Sequence, residues 1–337
     1  MKIALVYKNF AANKNISHIG LGVAALNNMK SLTASGVSAQ VVPALGANDL
    51  HVAIANDPTI THVNISAPWI PSADMQGLLN MHPGVTFSLI CHSNVGFLQA
   101  DPQGVLLFRQ AQELERASHN FHVGGNCQRF VDWVRTTYNV PCTWFPNMYW
   151  LDGNTDVHRP AWQSGTLRIG LFGATRPLKN FMSAAGAALT IGRTLRADLE
   201  IWMNSGRTEG GESVMNSIRR MVEGVSSAKI VQTGWQSWPQ FRETVSHMHL
   251  LMQPSYTESF NMVTADGIAS GVPSVVSDAI DWCPDHWQAK ADDVLDIARV
   301  GKQLLSDAHA PAAGLHALQA HNVVALAAWR SYLGVRQ

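Results

Sequence analysis

Two successive trains of short apolar runs, each run followed by a stretch of helix length, constrain this chain more than any single motif. Lys2–Tyr7 opens the first train as an apolar run of the kind that forms a central parallel strand. A polar loop follows; Gly20 and Gly22 then open a helix-like stretch to Ser35, Gly36 ends it, and Ala39–Pro43 supplies the next strand. The alternation continues through His62–Ser66, Thr86–His92, the amphipathic Gln103–Ala117, Asn120–Gly124 and Thr143–Phe145. Parallel strands need crossover connections, and helices of this length supply them, so the order reads as a doubly wound α/β layer.

Around Pro146–Gly165 the pattern breaks into Pro, Asn, Asp, Gly and Trp without period, as where one domain hands over to another. Leu167–Phe172 restarts it. Strands at Asp198–Met203, Ile230–Thr233, His249–Gln253 and Ser274–Ser277 then alternate with helices at Asn180–Leu195, Glu212–Glu223, Trp238–Ser246 and Met262–Ser270, with more helix beyond Ala291. The predicted fold class is α/β, with two doubly wound parallel-sheet domains facing a central cleft, residues 1–150 and 160–317. Open sheets of this kind bind ligands outside the carboxyl ends of their strands, which places the function in that cleft.

Composition narrows the classes. With 46% hydrophobic and 14% charged residues, the chain can offset its ordering entropy by burial, which excludes disorder and coiled coil. Lys and Arg number 24 against 24 Asp and Glu, so no global field draws it to nucleic acid or anionic lipid. No window approaches 18 uninterrupted apolar residues, and Ile3–Tyr7 is too short for a signal-peptide core; the expectation is a cytoplasmic protein without membrane insertion. Cys91, Cys127, Cys142 and Cys283 lie far apart without C-x-x-C, and read as buried reduced thiols. The 14 His lack metal-ligand spacing, and no metal is expected.

The most informative segment runs Pro254-Ser-Tyr-Thr-Glu258-Ser259-Phe260-Asn261-Met262-Val-Thr-Ala-Asp266-Gly-Ile-Ala-Ser-Gly271-Val-Pro273-Ser-Val-Val, as strand, loop, helix, turn and strand. The first N–H groups of that helix, from about Phe260 to Val263, have no intrahelical partner and favour an anion. Glu258 precedes them and Asp266 lies one to two turns in, a spacing that lets two acids address two ends of one elongated ligand. A second anion site is implied where the strand Leu167–Phe172 exits through Gly173 into Ala-Thr-Arg176-Pro-Leu-Lys179-Asn180. Arg grips phosphate oxygens bidentately and Lys acts as a point charge. Each such charge-assisted contact to an anion is worth about 1.5–3 kcal/mol.

These residues resemble those of retaining glycosyltransferases of the two-Rossmann-domain (GT-B) type, particularly family 4, whose hallmark is Glu, seven residues, Glu within P-S-x-x-E-G-F-G…E-A-x-A-x-G-x-P-V-V. Here Asp266 stands for the second Glu, and Ser259 and Asn261 for two glycines. The resemblance implies that Glu258 contacts the donor sugar, Asp266 the ribose, and Arg176 and Lys179 the donor diphosphate. Gly20 and Gly22 resemble the family's glycine loop over the phosphates. His92 matches a position from which a His or acid reaches the sugar, with Ser93 and Asn94 beside it, and Trp235 matches a residue near the base. Trp69, Trp282 and Trp287 fall on predicted loops, where an aromatic platform is physically reasonable. The layout further implies an acceptor-side first domain, a donor-binding second domain, and a C-terminal helix of about 318–337 that packs back on the first. Arg176–Asn180 also looks like chains encoded by tailed phages.

The implied activity is transfer of a hexose or pentose from a UDP-, GDP- or ADP-sugar to an acceptor hydroxyl, with retention, no metal and no bound cofactor. The oligomeric state and the acceptor stay open. A hydroxymethylated pyrimidine in phage DNA is one alternative, and a sugar-nucleotide binding protein without turnover is another.

Overall fold

The computed structural model describes residues 1–9, 19–153, 161–205 and 207–335. Most of the polar loop after the first strand and the middle of the 146–165 break lie outside the described residues. The chain divides into two compact units, Met1–Trp150 with Asn322–Gln337, and Leu151–His321.

In the first unit the described elements run β1 (Lys2–Lys8), α1 (Ile19–Ala34), β2 (Ser38–Ala44), α2 (Ala47–Asn56), β3 (Ile60–Ser66), α3 (Ser72–Met81) and β4 (Thr86–Cys91). There follow α4 (Val95–Leu98), α5 (Pro102–Ala117), β5 (Phe121–Gly125), α6 (Gln128–Tyr138) and β6 (Thr143–Trp144). The strands form one sheet, paired in parallel in the order β2-β1-β3-β4-β5-β6. Alternation along β1 explains its unbroken apolar run. Ala4 and Val6 enter one core with Phe87, Phe121 and Phe130, while Ile3 and Leu5 enter the opposite core with Phe145. That second core is completed by the end of the last helix, where Ala325 and Trp329 are fully buried and the Trp329 indole donates to the Pro146 carbonyl (2.8 Å).

Helices α2, α3, α4 and α6 are additions to the sequence reading. α2 is held at its start by Asp49, whose Oδ2 accepts from the Leu45 and Gly46 amides (2.6 and 3.2 Å). Gly20 and Gly22 lie at the start of α1, the helix that the sequence has them open. A Cβ at Gly22 would sit 3.1 Å from the Tyr7 ring, so that glycine packs the helix on β1, and Gly20 is exposed.

The second unit runs β7 (Thr166–Leu171), α7 (Phe181–Leu195), β8 (Asp198–Asn204), α8 (Glu212–Val222), β9 (Ala228–Thr233), α9 (Trp238–Ser246) and β10 (Leu250–Gln253). It continues with α10 (Met262–Ala269), β11 (Ser274–Val276), α11 (Val294–Ser306) and α12 (Ala310–Tyr332), whose residues from Asn322 onward belong to the first unit. The parallel order is β11-β10-β7-β8-β9. Small residues bring α7 close to its neighbours: Ala184, Ala185, Ala187 and Ala188 are fully buried, and a Cβ at Gly192 would lie 3.2 Å from Leu199. Trp287 is no platform. It is fully buried, and a Cβ at Gly314 would meet its ring at 2.3 Å.

All four cysteines are free and buried, and burial pushes Cys91 up to about 11 and Cys142 up to about 12, which keeps both as thiols. No described helix is long and apolar enough to cross a membrane.

Candidate functional site

The chain leaves β7 toward β8 and β9 on one side, then returns to place β10 and β11 on the other, so the order reverses between β7 and β10. The loops that follow these two strands therefore flank a topological switch point, the place where open parallel sheets take ligands. Glu258 comes from the loop after β10 and Lys179 from a short 3-10 turn, Pro177–Lys179, after β7. Lys179 Nζ donates to Glu258 Oε1 at 2.5 Å, with side chains 15% and 10% exposed. Ser255 Oγ and Asn261 Nδ2 donate to the same oxygen at 2.8 and 3.0 Å. No hydrogen bond among the described residues reaches Oε2.

The backbone explains why this loop holds its shape. Asn261 takes a left-handed conformation (φ 69°), open to glycine and tolerated by Asn. Its Oδ1 caps α10 by accepting from the Thr264 amide (2.9 Å), and its Nδ2 also reaches Gln253 Oε1 (3.1 Å). An Asn thus does the conformational work of a glycine and anchors Glu258 as well. Asn180, also left-handed, donates to the carbonyls of Pro254 (2.9 Å) and Ala291 (2.6 Å), tying the β7 exit to the β10 loop. Gly173 leaves β7 with φ 122°, a conformation closed to other residues, and its amide donates to Asn204 Oδ1 (2.9 Å). Phe260 is buried, stacks on Trp282 with centroids 5.1 Å apart, and accepts the Trp282 indole proton on its carbonyl (2.7 Å). Ser259 and Met262 flank it, both part-buried.

Arg176 and Asp266 have partners that sequence reasoning missed. Arg176 Nε pairs with Glu209, from the loop after β8, and Arg207 pairs with the same carboxylate. Arg207 also covers the Trp235 ring at 5.2 Å. Burial would raise Glu209, yet the hydrogen bonds and charges of Arg176 and Arg207 outweigh it and hold the carboxyl below its usual range. Across Lys179, Arg176, Arg207, Glu258 and Glu209, one positive charge remains in excess. Asp266 is 2% exposed, and its Oδ1 accepts the Trp238 indole proton at 2.8 Å. The structure thus joins Glu258 to Lys179 directly, whereas Arg176 is bonded to Glu209 and Asp266 to Trp238. No local motif marks Glu209 or Trp238; each meets its partner through strand register or helix packing.

His92 follows β4 in the first unit. Burial pushes its imidazole down to about 4, which keeps it neutral at pH 7. Nδ1 lies 3.3 Å from Asn126 Nδ2, so with that amide as donor the ring proton sits on Nε2, which is buried and has no hydrogen-bond partner among the described residues. Asn94 instead caps α4, accepting from the Val95 amide (2.8 Å). Trp69 is part-buried, with Lys8 Nζ 5.7 Å from its ring centroid.

Two Rossmann-like parallel-sheet α/β units carried in one chain define the GT-B glycosyltransferase fold. Among solved structures the chain is similar to sucrose-phosphate synthase from Thermosynechococcus elongatus, at 13% identity over 98% of each chain and a TM-score of 0.68. It is also similar to Anabaena HepE, solved with UDP and glucose, at 11% identity over 99% of each chain and a TM-score of 0.63. A UDP-forming α,α-trehalose-phosphate synthase from Burkholderia xenovorans matches at 13% identity, over 85% of this chain and 75% of that one, with a TM-score of 0.59. No family model matches the sequence, and no curated protein matches it either.

Proposed function

We propose that this chain is a retaining, family 4-like glycosyltransferase that moves a hexose or pentose from a nucleoside-diphosphate sugar to an acceptor hydroxyl. The second unit is the donor domain and the first the acceptor-side domain. One observation carries the reading: a lysine, a carboxylate and an arginine stand on the loops that flank the switch point of the second sheet. The UDP-bound and UDP-forming similar structures support a nucleoside-diphosphate donor, with UDP-, GDP- and ADP-sugars as the candidates. The phage-like run Arg176–Asn180 supports a phage origin.

In this reading Lys179 and Arg176 stabilise the negative charge that develops as the diphosphate leaves, each contact contributing about 1.5–3 kcal/mol. Glu258 is already fixed through Oε1, so Oε2 is the oxygen that orients a sugar hydroxyl. His92, neutral at pH 7, is assigned to the sugar and withdraws no proton. The departing phosphate itself accepts the acceptor's proton, and no protein base is assigned.

A second reading, a sugar-nucleotide binding protein without turnover, rests on the departures from the family pattern at Asp266, Ser259 and Asn261. Thermal-shift screening against UDP-, GDP- and ADP-sugars, followed by mass spectrometry of the mixtures, separates the two. Transfer chemistry gives a stabilising donor that slowly releases its nucleoside diphosphate without acceptor; a binder gives the shift without release. Neither shift nor release with any donor overturns both.

A further inference from the structure

The loop after β8 is zipped to the loop after β7 beyond the end of the sheet. The Glu209 amide donates to the Thr175 carbonyl (2.9 Å), the Thr175 amide donates to the Arg207 carbonyl (3.1 Å), and Thr175 and Thr208 form a parallel bridge. A Cβ at Gly211 would lie 2.3 Å from the Thr175 carbonyl oxygen, so the close approach needs glycine there. This register fixes the backbone of Glu209 beside Arg176.

The side chains complete a relay. Arg207 lies over the Trp235 ring and places both Nε (2.6 Å) and Nη2 on Glu209 Oε1, leaving Oε2 for Arg176 Nε. A carboxylate held by its own backbone and clamped by one guanidinium cannot drift with the second one. Without it, two arginines on adjacent strand exits repel each other.

We propose that Glu209 is a positioning residue of the donor site, holding the Arg176 guanidinium in place for the diphosphate through the chain Trp235, Arg207, Glu209, Arg176. The proposal rests on the donor-site reading above and adds to it a residue that never touches the donor.

The test measures the dissociation constants of UDP, GDP and ADP by calorimetry, with the tightest then titrated against variants whose melting confirms folding. Glu209→Gln keeps the shape and removes the charge, and weakens binding about tenfold, the loss of one charge-assisted contact. Glu209→Asp keeps the charge and stays within about threefold of wild type. A residue that merely packs gives the reverse order, and that order overturns the proposal. Arg176→Ala also costs about tenfold, and adding Glu209→Gln to it costs less than about twofold more, because the relay ends at the missing arginine. Additive losses overturn the proposal. If Arg176→Ala weakens binding and Glu209→Gln does not, the donor site stands and the positioning role falls. Should wild type bind none of the three nucleotides, the donor-site reading fails and the proposal with it.

Discussion

Replacing Lys179 by Met tests the switch-point pair from both sides, stability and binding. Removing one partner of a fully buried ion pair costs about 3–5 kcal/mol, because the other charge is left uncompensated. Here Glu258 is 10% exposed and keeps two donors on the same oxygen, Ser255 at 2.8 Å and Asn261 at 3.0 Å. The loss is therefore nearer that of a single charge-assisted hydrogen bond, about 2 kcal/mol. In a unit of this size that lowers Tm by about 4–8 °C. The same substitution removes a cation from the diphosphate and weakens nucleoside diphosphate binding by about 10- to 150-fold. Glu258→Gln and the double variant close a thermodynamic cycle, followed by circular dichroism melting and by calorimetric titration. Direct contact at 2.5 Å requires the double variant to be destabilised by less than the sum of the singles, by more than about 0.5 kcal/mol. Additive melting losses, or a Lys179→Met protein that melts and binds as wild type does, refute the pair.

Other outcomes follow from single contacts. Burial pushes the Glu115 carboxyl up to about 7 from its ordinary 4.5, against the opposing Val123 amide and Arg116 charge. The folded state thus prefers the protonated acid: its contribution is complete below about 4.5 and is lost as pH rises through about 7. Glu115→Gln abolishes that alkaline loss in melting curves taken from pH 5 to 9, and a wild-type-like slope contradicts the assignment. His62 and His122 shift the other way, both lowered by burial, so their contribution is present above 6.5 and fades as pH falls; Glu115→Gln leaves the His62 part of this acid limb in place. Trp238→Phe removes the indole hydrogen bond from the buried Asp266 and costs about 1.5–3 kcal/mol in chemical denaturation; a loss under about 0.5 contradicts the contact.

The layered order was readable because central parallel strands are buried on both faces, and β1, with Ala4 and Val6 on one side and Ile3 and Leu5 on the other, leaves an unbroken apolar run. Short helices such as α2 were not, since its only buried side chains are Leu50 and Ile54 and little periodicity shows. Within the site, Glu258 and Lys179 lie in local motifs around strand exits, which a sequence displays. The partners of Arg176 and Asp266 do not: Glu209 reaches Arg176 only through the Thr175 to Thr208 register, and Trp238 reaches Asp266 only because α9 packs on α10. Contacts set by tertiary register leave no trace in spacing.

The most direct measurement is a crystal structure of the protein soaked with the nucleoside diphosphate that stabilises it most. The diphosphate is expected within hydrogen-bond distance of Lys179 Nζ and the Arg176 guanidinium, beside Glu258 and between the exits of β7 and β10. A nucleotide bound elsewhere, with these three side chains untouched, contradicts the account.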